Sequence, residues 1–282
     1  MDEHGRAAAR KLFGQIRTVD LFVVVLRAFE NASVPAYRNR IDPGKDLAEL
    51  KTEFLLADLE LVTTRIDRLE KQVHKPTKTQ ARDKEELVLQ VRLQEALESE
   101  RPLAELEFNE RETELIKPLG FLTLRPMMVV INIDEGKVGQ RAELPAAGGA
   151  EVIQLSAEIE SELAQLDPES RAEFMKDLGI REPASAQFVQ TCYRTLGLIS
   201  FLTVGKDEVR AWTIEAGTIA HEAAGKVHSD IQRGFIRAET MSYADLRELR
   251  DEKAVKAAGK MRLEGKSYVV QDGDIINYRF NV

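Results

Sequence analysis

Leu55, Leu59, Val62, Ile66, Leu69 and Val73 follow one another at steps of four, three, four, three and four residues. That rhythm keeps a narrow apolar stripe on one side of an α-helix, and it is the seam along which two helices supercoil. The pattern predicts a long helix from an N-cap at Asp46 to about Val73. The Lys75-Pro76-Thr77-Lys78-Thr79 break then ends it, because proline cannot continue a helix. A second helix is expected from about Asp83 to Glu98, with Leu89, Leu93 and Leu97 on one face and Leu87 and Val91 beside them. Two such helices joined by a short polar turn form an antiparallel coiled-coil hairpin, expected here over residues 46–110. Arg65, Arg68, Lys71, Lys75, Lys78, Arg82 and Lys84 outnumber the acids at its tip.

Outside the hairpin the pattern turns from helical to extended. Val19-Asp20-Leu21-Phe22-Val23-Val24-Val25-Leu26-Arg27 is too apolar for a half-exposed strand. It reads as a strand covered on both faces, as in a parallel sheet flanked by helices. A weak helical rhythm over Gly5–Ile16 precedes it, and Pro35 and the Ile41-Asp42-Pro43-Gly44 turn follow. After a charged helix near Asn109–Ile116, short apolar runs return at Pro126–Ile131 and Glu151–Leu155. Helices from about Glu158 to Leu166 and from Ala186 to Leu196 supply covering layers. Residues 1–45 and 111–198 therefore read as one α/β domain interrupted by the hairpin. From residue 199 the elements shorten. Val209–Ile214, Phe235–Glu239, Lys266–Val270 and Ile275–Phe280 read as strands, Ile219–Val227 as a small-residue helix, and Tyr243–Ala258 as mainly helix. That is a compact α+β module of residues 199–282.

Composition narrows the partners. The 40 Lys and Arg stand against 48 Asp and Glu, for a formal net charge of -8. Such a field does not grip nucleic acid as a whole, so contact with it would need a local basic face. The single Cys192 excludes an internal disulfide framework and a thiolate metal site, and suits a reducing cytosol. The longest apolar run, Leu21–Leu26, is far short of the roughly 20 residues that span a bilayer. Residues 1–17 lack the apolar core of a signal peptide. A cytoplasmic protein without a membrane partner is expected.

Few motifs carry chemistry. Gly265-Lys266-Ser267 matches the end of a P-loop, but position 260 is Lys260 where the loop needs glycine, and a strand follows where it needs a helix. Asn132-Ile133-Asp134-Glu135 is more informative. It stands at the carboxyl end of an apolar strand, where open α/β sheets bind ligands, and Ser156-Ala157 closes the next strand. These residues fit a polar strand end with an Asn turn, and they also resemble the base-binding half of a P-loop GTPase. In such sites an Asp accepts two N–H bonds from guanine and a Lys packs along the base. Here Ile133 takes the Lys position and Glu135 the Asp position, so guanine selectivity should be lost, with the Ile133 backbone left to serve adenine's amino group. His4, His74, His221 and His228 do not pair at metal spacing. Cys192 and Trp212 read as packing residues. No catalytic residue and no metal site is expected.

These segments together resemble one family. Leu26-Arg27-Ala28-Phe29-Glu30-Asn31, Ile41-Asp42-Pro43 with Asp46, Leu56-Ala57-Asp58-Leu59-Glu60 and Asn132-Ile133-Asp134-Glu135 are similar to the YchF/Obg-like ATPases, of the TRAFAC class of P-loop NTPases. The strongest stretch runs from Glu208-Val209-Arg210-Ala211-Trp212-Thr213-Ile214 through His228, Gly234–Glu239 and Glu264-Gly265-Lys266 to Val282. It looks like the family's TGS domain, a ubiquitin-like β-grasp. The resemblance covers essentially the whole chain. It implies a cytosolic, ribosome-binding ATPase that uses Mg²⁺ and prefers ATP through an Asn-x-x-Glu base motif. On that resemblance Asn132, Ile133 and Glu135 are base-site positions, and Ser156 and Ala157 form the adjoining loop. The hairpin and the TGS domain would be the partner-binding surfaces, with the basic tip suited to an RNA phosphate backbone.

The resemblance also implies parts that these residues do not show. The family's first strand, its P-loop, the Mg-binding switch threonine and a DxxG segment would all precede Gly5–Phe13, and the sequence opens at Met1. The expectation is thus an α/β fold with a partial P-loop NTPase (G-domain) sheet, amino-terminally truncated and without its Mg site. Many relatives also carry, where this chain has Val24, a His associated with hydrolysis. Phosphoryl transfer depends on the P-loop Lys and Mg²⁺, so this chain is not expected to hydrolyse ATP by itself. A second reading is a catalytically dead ribosome- or RNA-binding adaptor that works through the hairpin and the TGS domain. A third, an unrelated enzyme using His221, His228 and Asp230, rests on little more than residue type.

Overall fold

The computed structural model describes residues 12–140, 143–205 and 208–281. Within Gly5–Ile16, residues 12–16 are helical; Gly5–Lys11, like His4, lie outside the described residues. The chain divides into two compact units between Thr191 and Cys192.

The first unit is built on a parallel sheet of β1 (Phe22–Ala28), β2 (Met127–Ile133) and β3 (Glu151–Leu155), in the order β1-β2-β3. Val24 lies opposite Val129, and Val129 opposite Val152. Central β2 buries every residue from Met128 to Ile131, as a strand covered on both faces should. The same expectation fails for β1. Phe22 and Leu26 are buried, but Val25 is 66% exposed and Val23 38%. Among the described residues β1 borders the sheet, pairing with β2 alone, and it is the face carrying Phe22 and Leu26 that packs against a covering helix.

That cover is α1 (Pro43–Gln72), whose Leu47 packs with Leu26 and whose Phe54 packs with Phe22. The helix starts four residues before the sequence reading places its cap. Asp42 is the N-cap, its carboxylate accepting from Lys45 N at 2.9 Å, and Pro43 sits at the first turn. Proline suits that place because it lacks only an N–H that would have no helical partner. Asp46 instead pairs with Arg40 at 2.8 Å.

At 30 residues, α1 is roughly 45 Å long and runs past the sheet to pair with α2 (Gln80–Glu98). Val62, Leu69 and Leu93 are fully buried in the seam, with Ile66, Leu89 and Leu97 close to it, while Leu55 and Leu59 are partly covered. Arg65 meets the buried Glu86 at 2.6 Å, which removes it from the free charge at the tip. A reciprocal box between Asn109 and Glu112 starts α3 (Glu110–Ile116) and leads the chain back towards β2. After β3 come α4 (Ala157–Gln165), α5 (Pro168–Asp177) and α6 (Ala184–Thr195). The sequence reading misses α5, although Asp167 caps it and Pro168 follows directly.

The second unit has a mixed sheet of β4 (Leu198–Val204), β5 (Val209–Glu215), β6 (Phe235–Ser242), β7 (Arg262–Glu264) and β8 (Asp274–Phe280), in the order β5-β4-β8-β6-β7. It wraps α7 (Ala220–Val227), whose Ala220, Ala223 and Ala224 are fully buried against Phe201, Ile214, Ala238 and Ile276. Small side chains let the helix lie close to the sheet, and the result is a β-grasp arrangement. A short helix α8 (Ser229–Arg233) leads into β6. On the other face α9 (Tyr243–Leu249) and α10 (Glu252–Ala257) place Leu246 and Val255 against Met241 and Ile275. One predicted strand is absent. Lys266–Val270 makes a single bridge, Val269 with Ile219. Its backbone bonds the entry to α7, Ala220 N to Tyr268 O at 2.7 Å and Val270 N to Thr218 O at 3.0 Å. Among the described residues no helix is long and apolar enough to cross a membrane.

Candidate functional site

The carboxyl ends of β1, β2 and β3 open onto one cavity of about 410 Å³. Asn132, Ile133, Asp134 and Glu135 line one side, Ser156 and Glu158 another, and Phe29, Glu30 and Asn31 a third. Parallel pairing brings them together, since Arg27 lies opposite Asn132 and Asn132 opposite Leu155. Of the sequence-predicted positions, Asn132, Ile133, Glu135 and Ser156 line the cavity directly. Ala157 joins through its amide, which donates to Asn132 Oδ1 at 2.9 Å.

That bond orients the asparagine. An N–H can only meet the carbonyl oxygen of the side chain, so Nδ2 is left as a donor with two hydrogens. The same bond satisfies one of the free amides at the start of α4. Ser156 caps the helix from the other side, with its hydroxyl 3.5 Å from Ile159 N, and is itself buried. The Ile133 side chain is buried too, whereas Glu135 is exposed. The cavity therefore offers an oriented amide donor, an exposed carboxylate acceptor and an apolar floor, a set with the chemistry to meet a flat heterocycle with ring acceptors and N–H donors.

Asp134 lines the cavity with its carboxylate already engaged. Its carboxylate accepts from Lys137 Nζ at 2.9 Å and from Glu30 N at 3.0 Å. The Lys137 ammonium first, and then the Glu30 amide, hold its carboxyl below the usual carboxylate range. Phe29, Glu30 and Asn31 are the wall that sequence reasoning missed as site residues. Their signal was present, because they end the Leu26–Asn31 segment that carries the family resemblance, but it takes the pairing of β1 with β2 to bring the loop after Ala28 to the cavity that Asn132 lines.

The other candidates are not among the residues that line this cavity. His228 Nδ1 accepts from Asp230 N at 3.1 Å and caps α8, and His221 lies edge-on to Phe235 with ring centroids 6.0 Å apart. Trp212 packs in the second core, donates to Thr203 Oγ1 at 2.9 Å and carries Arg210 over its ring. Among the described residues no group of three His, Cys, Asp or Glu side chains is arranged to hold a metal ion.

Comparison with known proteins agrees along the chain. Residues 198–281 match the family YchF-GTPase_C, described as a protein of unknown function (DUF933). The ribosome-binding ATPase YchF of Bacillus subtilis is 41% identical over 99% of this chain and 78% of its own length. Obg-like ATPase 1 of Caenorhabditis elegans is 34% identical over 98% of this chain and 72% of its own. The structure of the Schizosaccharomyces pombe YchF GTPase superposes with a TM-score of 0.84 at 32% identity, covering 95% of this chain and 74% of that one. With that identity and coverage, and with the same parallel sheet, hairpin and carboxyl-terminal module, this chain belongs to the YchF/Obg-like ATPase family.

Proposed function

We propose that this chain supplies the base-recognising part of a ribosome-associated, ATP-preferring nucleotide hydrolase, working in the cytoplasm. The observation that carries the reading is the bond from Ala157 N to Asn132 Oδ1. It leaves Nδ2 to donate to a purine N7. Ile133 stands where a guanine-selective site has a lysine, and Glu135 accepts from the base edge. Hydrolysis further requires a phosphate-binding loop and Mg²⁺. These 282 residues carry no such loop sequence, so the residues in hand account for base selection and not for phosphoryl transfer. When bound, Mg²⁺ would neutralise charge on the phosphates; no side chain of this cavity is assigned to it.

The names of the relatives, ribosome-binding ATPases, support a ribosomal partner. One observation favours adding an RNA contact. Arg68, Lys71, Lys75, Lys78, Arg82 and Lys84 are exposed around the hairpin tip, and no carboxylate among the described residues pairs with them. The same charge would serve an adaptor that binds without hydrolysis.

Calorimetric titration of the chain with ATP and with GTP tests the base site. ATP should bind more tightly, and Asn132→Asp should weaken it by about tenfold or more. The Asp variant keeps an oxygen for Ala157 N while removing the amide donor, so α4 stays capped. Equal affinity for GTP and ATP, or an unaffected Asp variant, would remove this reading.

A further inference from the structure

We propose that Arg27 is a positioning residue for the base cavity, holding the Phe29–Val34 loop in place as the cavity's third wall. The inference rests on the reading of that cavity as a base site. Arg27 lies on β1, next to the wall and not among the residues lining the cavity. Its Nε donates to Phe29 O at 3.0 Å, Nη1 to Val34 O at 2.8 Å and Nη2 to Asn31 O at 3.1 Å. Each nitrogen of one guanidinium thus closes on a different carbonyl of the same loop. The guanidinium carbon also stands 4.7 Å from the centroid of the Phe29 ring.

Among the described residues few other bonds hold this loop. It contains no helix or strand. Val34 N to Asn31 O at 3.2 Å and Ser33 N to Asn31 Oδ1 at 2.9 Å are internal to it. Glu30 N to Asp134 Oδ1 at 3.0 Å ties it to the base motif at one point. A planar fork with five donors can bond diverging carbonyls and stack at once; a lysine ammonium, a compact point charge, cannot do both. Phe29 lines the cavity with its ring held by the guanidinium, and aromatic stacking on a base is sequence-tolerant and strong. Loss of the guanidinium would free Phe29 and its loop while Asn132, Ser156 and α4 keep their own bonds.

The test is titration of wild type, Arg27→Lys, Phe29→Leu and the double variant with adenosine and with ATP. Arg27→Lys should weaken both ligands by about tenfold. The double variant should bind no more weakly than Phe29→Leu, because Arg27 acts through that ring. Amide exchange should quicken at Glu30–Val34 in Arg27→Lys and stay unchanged in β2, which separates local release from general loosening. Unchanged affinity in Arg27→Lys, or losses that add in the double variant, would overturn the proposal while leaving the base site standing. A wild type that binds neither adenosine nor ATP would sink the base-site reading, and this inference with it.

Discussion

The Arg17 guanidinium meets the Asp58 carboxylate at 2.7 Å inside the first unit, and Asp58 has no exposed surface at all. The carboxylate accepts three more bonds, from Leu122 N at 3.0 Å, Thr123 N at 2.8 Å and Thr123 Oγ1 at 2.8 Å. Arg17 in turn donates to Ala57 O and Gly120 O. One ion pair therefore joins the segment before β1, the middle of α1 and the turn before β2. The turn has no slack: Gly120 is left-handed at φ +58°, and a Cβ there would come within 2.8 Å of Arg17 O.

Asp58→Ala should destabilise the first unit by about 3–5 kcal/mol, since it leaves a partly buried guanidinium and two backbone amides without their acceptor. Asp58→Asn should cost less, because it keeps one acceptor oxygen. Urea denaturation followed by far-UV circular dichroism measures both. Equal stability of the Ala variant and wild type would mean that the network carries no net energy.

Gln90 presents the opposite case. It is fully buried in α2, and neither its Nε2 nor its Oε1 has a hydrogen-bond partner among the described residues. Gln90→Leu should therefore stabilise the hairpin by about 1–3 kcal/mol, the desolvation cost of an unpaired buried amide. A thermal melt that shifts upward supports this account, and one that shifts downward would show that the amide is satisfied in solution.

Alkaline pH should weaken the second unit through Tyr268. Its hydroxyl donates to the buried Asp274 at 2.7 Å, and burial, with Asp274 next, pushes the phenol up to about 12. An unfolded tyrosine ionises near 10, so above that pH the unfolded chain releases a proton that the folded chain retains. The Tyr268 contribution is complete below about pH 10 and is lost as pH rises to about 12. Tyr278 is pushed up as well, by burial and then by Asp274, and extends the loss. The chain's single tryptophan, Trp212, lies in this unit, so its fluorescence during denaturant titration at several pH values follows the change. Tyr268→Phe should flatten the decline, and an unaltered decline would exclude Tyr268 as its source.

Reversing charge at the hairpin tip should weaken a polyanionic partner. Lys71→Glu, Lys75→Glu and Lys78→Glu together should cut co-sedimentation with ribosomes and lower the log–log salt slope by roughly 3. Retention of full co-sedimentation and of the slope would assign the contact to another surface.

The architecture was legible wherever periodicity and punctuation agreed. The seam from Leu55 to Val73, the buried run of β2 and the apolar strand at Ile275–Phe280 each came through, because burial itself writes those patterns. Boundaries were lost where a local signal has two meanings. Ile41-Asp42-Pro43-Gly44 reads as a turn, yet Asp before Pro is also a helix start, and the bond to Lys45 N decides it. Lys266–Val270 has strand composition, but its backbone partners sit before α7, far away in sequence. The candidate site divides the same way. Asn132 and Ser156 stand out beside strand ends, whereas the place of Phe29 and the grip of Arg27 depend on which strands are neighbours.

The position of Asp58 gives α1 a mechanical character. The clamp stands sixteen residues beyond the Asp42 cap and fourteen before the last helical residue, Gln72, which makes arms of roughly 24 and 21 Å. The two arms are not alike: the first is fixed to the sheet by Leu47 and Phe54 and by Lys51 Nζ on the carbonyls of Ala146 and Ala147, whereas the second leaves the sheet to pair with α2. Bending of α1 therefore belongs to the hairpin side of the clamp, and the sheet side stays with the strands.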